Sequence, residues 1–111
     1  MENKDLPIAF LNGTVATTNG IYSICDIDME SAIKLVSNHP YISAIGHEAT
    51  AEIMTELLGV KISYNRIQFK QQVNQIALVF KLNKRPTEGV ILSKKEIEDI
   101  GYSFKLMERL E

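Results

Sequence analysis

A histidine directly follows a glycine in the stretch AIGHEAT, residues 44–50, where the chain is predicted to enter a helix. The unpaired N–H groups and the positive dipole end of a helix start attract phosphate and similar anions. His47 could then transfer a proton, and Thr50, one turn later, could donate a hydroxyl from the same face. The dipole contributes only about 0.3 to 1 kcal/mol. This stretch alone therefore also fits a partly buried first-turn histidine and an ordinary helical threonine.

Other positions carry groups that suit a phosphate-bearing ligand. Arg85 and Glu88 lie in the polar segment NKRPTEGV, which follows a predicted central strand, a place where ligand groups often occur. Arg66 opens a predicted strand, and Asn12 leaves the end of the first strand. Each has an ordinary structural alternative: a weak surface ion pair for Arg85 and Glu88, an exposed edge cation for Arg66, and turn chemistry for Asn12.

Apolar runs predict the strands that must position these residues. The run QIALVFKL is the most apolar and is expected to form a central strand, adjacent to the strand predicted for RIQFKQ. The last run alternates, so one of its faces should lie on the core. The predicted strands are PIAFL at 7–11, IYSICDI at 21–27, RIQFKQ at 66–71, QIALVFKL at 75–82 and YSFKLME at 102–108.

Helical spacing of apolar residues and capping residues predict the helices. One should run from 29 to 37 and a second from 47 to 58, ended by a left-handed Gly59. A capping box formed by Ser93 and Glu96, with a hydrophobic staple between Leu92 and Ile97, should begin a third helix at residue 94. The sum is one domain, residues 1–111, of the α/β (α+β) class, with a mixed sheet of about five strands and two or three helices.

Composition excludes several classes of protein. The 111 residues include 12 basic and 14 acidic side chains, a formal charge of -2, so no basic excess exists to hold long nucleic acid. A small anionic ligand needs only a few placed cations and N–H groups. No apolar run approaches about 18 residues, and the polar start MENKDLP does not resemble a signal peptide, so we expect a cytoplasmic protein without a membrane segment.

Cysteine and histidine are too few for other site types. One cysteine and two histidines do not supply a zinc site, so we expect neither a metal nor a cofactor. Cys25 lies in a predicted strand and is expected to be an inert core residue. The loop NGTVATTNG lacks the patterns of P-loop and Rossmann phosphate loops.

Four segments together resemble one known family, the viral anti-CRISPR ring nucleases. These segments are LNGT, SAIGHEATAEIMTELLG, NRIQF and KRPTEGVIL followed by a capped helix, and they span nearly the whole chain. The most specific part is the glycine-histidine-acid-x-threonine start of the second helix. Archaeal members tend to carry NAFS where this chain has NGTV, and often serine where it has Ala49, so Thr14 is the candidate to replace the family's ligand-contacting serine.

The resemblance implies a homodimer that cleaves cyclic tetra-adenylate, a second messenger of type III CRISPR systems, without a metal. It implies catalytic roles for His47, Arg85 and Glu88. It also implies ligand contacts from Gly46 and Thr50 at the start of the second helix. Three further positions would contact the ligand: Asn12, Thr14 and Arg66.

Two other functions remain open from the residues. Phosphate-binding groups without catalytic geometry would make a binding module that holds a cyclic oligonucleotide or other nucleotide uncut. An interaction protein of a mobile element would instead use its dimer surface. Incubation with labelled cyclic tetra-adenylate separates the three hypotheses, because they predict cleavage, retention without cleavage, and neither.

Overall fold

Strands and helices alternate along most of the chain. The computed structural model describes residues 6–12, 16–83 and 93–111. Within these ranges the elements are β1 (Ile8–Asn12), β2 (Tyr22–Ile27), α1 (Met29–Ser37), β3 (Tyr41–Ser43), α2 (Glu48–Leu58), β4 (Ile76–Leu82), α3 (Lys94–Ile100) and β5 (Tyr102–Arg109). The predicted α+β domain, with a five-stranded sheet and three helices, is confirmed.

The five strands form one mixed sheet in the order β2-β5-β4-β1-β3. β1 pairs in parallel with both β3 and β4, whereas β5 is antiparallel to β4 and β2. β4 occupies the centre, as its apolar sequence predicts. Because β1, β3 and β4 run the same way, their carboxyl ends lie at one edge of the sheet, here called the carboxyl edge.

Capping residues set the helix bounds. The Asp28 carboxylate accepts a hydrogen bond from the Ser31 backbone N–H at 2.7 Å, and this bond lowers the pKa of Asp28. The capping box that starts α3 is confirmed, since Ser93 and Glu96 each accept from the other's backbone N–H. Gly59 ends α2 in the left-handed region, at φ 73°. Of the predicted staple, Leu92 lies outside the described residues.

The main core lies between the three helices and one face of the sheet. Phe80 and Phe104 are register partners on β4 and β5, with ring centroids 5.3 Å apart. From α2, Ile53 and Met54 are buried in the same core. Truncating a core side chain of this size to alanine typically costs about 2 to 5 kcal/mol. This burial fixes the inner face of α2 against the sheet.

The predicted strand at 66–71 is wrong, since the structure has irregular backbone there. Its physical reason is that β4 already pairs with β1 on one side and β5 on the other, so no partner remains for a hairpin. Within this segment, the backbone N–H of Gln71 donates to Thr17 Oγ1 at 2.7 Å. The third strand is instead the short β3, which the sequence analysis missed.

The prediction that Cys25 is a core residue is also wrong. Cys25 is exposed, and its neighbour Ile24 is 47% exposed. Both lie on β2, which forms one edge of the sheet and is mostly exposed along its length.

Candidate functional site

Three separate parts of the chain meet at the carboxyl edge. Asn12 is the last residue of β1 and is exposed there. β3 ends at Ser43, and the chain passes from it through Gly46 and His47 into α2. β4 ends at Leu82 beside them. Ligands of open α/β sheets bind outside the carboxyl ends of parallel strands, so this edge is the candidate site.

His47 is the N-cap residue of α2 and is exposed. Its backbone is extended, at φ -129° and ψ 122°, and its carbonyl accepts the first helical hydrogen bond, from Ala51 N–H at 3.0 Å. Its side chain makes no capping hydrogen bond. The imidazole is therefore not used to satisfy the N–H groups of the first turn, and those groups can meet an anionic ligand.

Arg66 lies against Gly46, although the two are far apart in sequence. A β-carbon placed on Gly46 would lie 3.4 Å from Arg66 Cγ and 3.9 Å from its Cδ. The aliphatic stem of the arginine thus crosses the glycine, while the residue as a whole is exposed. This contact brings a permanent positive charge next to the start of α2.

The first turn of α2 also carries an opposing charge. Glu48 is exposed and acidic at the first helical position. Its carboxylate counteracts the attraction of the helix start for an anion, and the dipole supplies only about 0.3 to 1 kcal/mol. The guanidinium of Arg66 is the stronger positive contribution at this corner of the molecule.

The remaining predicted residues divide into two groups. Thr50 lies in the first turn of α2 and is buried, with 5% of its surface exposed. Its predicted contact with a ligand stays a prediction. Thr14, Arg85 and Glu88 lie outside the described residues, so their placement is a prediction from sequence.

Sequence analysis missed the residues that hold Arg66 in place. Asn65 donates its backbone N–H to Ile45 O at 2.9 Å and its side-chain Nδ2 to Ser43 O at 2.7 Å. Both acceptors belong to β3 or the residues that follow it. Periodicity carries no signal for such a contact, because it joins residues about twenty positions apart without a regular strand ladder.

Among residues 6–12, 16–83 and 93–111, no three His, Cys, Asp or Glu side chains are grouped so that they could hold a metal ion. In the same ranges, no helix has the length and apolar character that crossing a bilayer requires.

Comparison with known proteins gives both bacterial and viral relatives. A family model described as STIV B116-like matches residues 8–104. The uncharacterized protein YddF of Bacillus subtilis is 35% identical over 108 residues, covering 96% of this chain and 100% of YddF. Uncharacterized protein 26 of a Sulfolobus islandicus filamentous virus is 40% identical over 84 residues, covering 75% of this chain and 71% of the viral protein.

A solved structure is similar over almost its whole length. It is B116 of Sulfolobus turreted icosahedral virus, with a TM-score of 0.73 and 27% sequence identity. The match covers 92% of this chain and 99% of the viral one.

Proposed function

Since this chain belongs to the STIV B116-like family, we propose that it is a ring nuclease that cleaves cyclic tetra-adenylate and thereby counters type III CRISPR signalling. The observation that carries the proposal is the contact at the carboxyl edge. There, the aliphatic stem of Arg66 crosses Gly46, the residue before the exposed N-cap residue His47 and the first-turn N–H groups of α2. A cation, a proton donor and N–H groups at one point suit a phosphodiester under attack.

The chemistry needs only the ring, these side chains and solvent water. A ribose 2′-oxygen attacks the adjacent phosphorus, and the bond from phosphorus to the 5′-oxygen breaks. The proton of the 2′-hydroxyl passes to a solvent water molecule, and the departing 5′-oxygen takes a proton from His47. The product end is a 2′,3′-cyclic phosphate. General acid catalysis of this kind contributes about 10² to 10⁴ in rate.

The other groups act on charge. Arg66, Asn12 and the N–H groups of α2 hold phosphates in the ground state. Arg85 and Glu88 take the catalytic roles that the family resemblance implies, and Arg85 offsets the charge that develops on the phosphorane-like transition state.

A homodimer accounts for the symmetry of the ligand. Cyclic tetra-adenylate consists of four identical nucleotides, and its symmetry contains a two-fold axis. A C2 pair of chains places two copies of His47 and two of Arg66 at opposite sides of one ring. Each His47 then serves one of two opposite phosphates, so the products are two linear di-adenylates.

The direct test is incubation of the purified protein with labelled cyclic tetra-adenylate in the presence of EDTA. We expect linear di-adenylates ending in a 2′,3′-cyclic phosphate. Retention of the intact ring on the protein would instead support a binding module. A protein that neither cleaves nor retains the ring would be a mobile-element interaction protein.

A further inference from the structure

A constant spacing of twenty residues relates β3 and the chain after it to the irregular segment 61–66. Tyr41 Oη donates to Lys61 O at 3.1 Å, and Ser43 Oγ donates to Ser63 O at 2.6 Å. Asn65 N–H donates to Ile45 O at 2.9 Å. The contact between Gly46 and Arg66 continues the same register. Residues 61–65, here called the strap, therefore run parallel to β3 along the outer edge of the sheet.

The strap is also tied to α2. Ile62 is buried, and its backbone N–H donates to Thr55 Oγ1 at 2.9 Å. Thr55 Oγ1 in turn lies 2.8 Å from Ala51 O, within the same helix. The strap is thus held between the edge strand and the helix whose first turn forms the candidate site.

Asn65 is the last residue of the strap and makes two of its bonds. Its backbone and its side chain donate to carbonyls on the path from β3 to α2, those of Ile45 and Ser43. Asn65 is only partly exposed, and it immediately precedes Arg66. These two hydrogen bonds fix both the position and the orientation of the backbone immediately before Arg66.

We propose that Asn65 is a positioning residue that holds the Arg66 side chain across Gly46, so that the guanidinium meets the ligand's phosphate beside His47. This inference rests on the proposed function for the identity of the ligand. The geometry that it describes belongs to the protein alone. Asn65 acts through Arg66 and makes no contact with the reacting atoms.

A double-mutant cycle tests this role. The affinity for cyclic tetra-adenylate is measured in the non-cleaving His47→Ala background, alone and with Asn65→Ala, Arg66→Ala or both, with a melting curve for each. We expect Asn65→Ala to weaken binding about fivefold or more when Arg66 is present and by less than about twofold once Arg66 is alanine. A merely structural loss would weaken binding equally in both backgrounds, and that result would overturn the proposal.

Asn38→Ala is the matched control. Asn38 Nδ2 also donates to a backbone carbonyl, that of Lys34 at 3.0 Å, but it lies at the C-cap of α1. It should leave affinity unchanged. If Asn65→Ala does not fold, Asn65→Ser takes its place, because it also removes the Nδ2 donor to Ser43 O without adding a charge. The same non-additivity with Arg66→Ala is then expected.

A second measurement needs no ligand. The heteronuclear NOE of Arg66 Nε reports the mobility of the guanidinium on the picosecond to nanosecond timescale. It should fall in Asn65→Ala and stay constant in Asn38→Ala. If the wild type did not bind the ring, the proposed function would fail and this measurement alone would decide the positioning role. An unchanged Arg66 signal in Asn65→Ala would refute it.

Discussion

Replacing His47 with alanine should remove cleavage without disturbing the fold. His47 is exposed, and its side chain makes no capping hydrogen bond. Surface substitutions of this kind stay within about 0.5 kcal/mol of the wild-type stability. Loss of a general acid costs about 10² to 10⁴ in rate, or roughly 2.7 to 5.4 kcal/mol of transition-state stabilisation. The catalytic effect should therefore exceed the effect on folding at least fivefold in free energy.

The assay is single-turnover cleavage of cyclic tetra-adenylate, with binding and thermal unfolding measured on the same samples. Affinity should stay near wild type, because a general acid acts mainly on the transition state. His39→Ala is the control. His39 Nδ1 lies 2.8 Å from Leu35 O, and the residue precedes β3, at the amino ends of the parallel strands and away from the carboxyl edge. It should lower stability by about 1 kcal/mol and leave the rate unchanged. Cleavage by His47→Ala at the wild-type rate would remove His47 from the mechanism.

Four further expectations follow from the fold and the sequence. Gly46→Ala should leave ligand binding near wild type, because its β-carbon would meet the arginine stem at 3.4 Å, an ordinary van der Waals distance. Gly59→Ala, at φ 73° with nothing within 4 Å, should also leave binding intact but cost about 1 kcal/mol of stability in a melt. Arg85→Ala should reduce both binding and turnover, whereas Glu88→Gln should reduce mainly turnover; silence of Glu88→Gln in both assays would make it a surface residue. Light scattering and a binding titration should give a homodimer with one ring per dimer, and one ring per chain would contradict the shared site. The pH dependence of acid unfolding should change in Asp28→Asn. The lowered pKa of Asp28 means that its stabilising contribution is present above the ordinary value of 3.8 and is lost as pH falls through the folded-state pKa. Asparagine caps the helix without that titration.

Local patterns were sufficient for most elements of the fold. α1 was predicted from residue 29 to 37 and has those bounds, because an aspartate cap and a regular apolar spacing specify it locally. The capping box of α3 and the glycine end of α2 depend on neighbours within a few residues in the same way. β4 was predicted to be central because both of its faces are apolar.

The errors arise where the partner is distant in sequence. Residues 66–71 have strand composition, but whether they form a strand depends on an unoccupied edge, and both edges of β4 are taken. β3 has only three residues, too few to show periodicity, and it exists because β1 offers a free parallel edge. Strand composition therefore identified candidates, while the sheet order decided between them.

The candidate site shows the same division. The glycine and histidine at the start of α2 are visible in sequence because a helix start is a local signal. Arg66 was singled out, although its expected position at the head of a strand was wrong. Its contact with Gly46 depends on the strap and on Asn65, whose acceptors are about twenty residues earlier, so no local rule could have supplied it.

The net charge of the chain is compatible with a strongly anionic ligand because charges act over short distances. At physiological salt, interactions between exposed charges are largely screened beyond about 8 Å, so acidic residues farther than this from the carboxyl edge have little effect on it. At the start of α2, the positive charge of the Arg66 guanidinium and of the helix dipole is opposed by the carboxylate of Glu48 in the first turn. Pairing two chains across a C2 axis doubles each of these contributions at one small ring without altering the rest of the surface. A formal charge of -2 is therefore compatible with binding of a compact tetra-anion, because such a ligand meets only the charges at this corner, whereas long nucleic acid would need a basic excess over a larger surface.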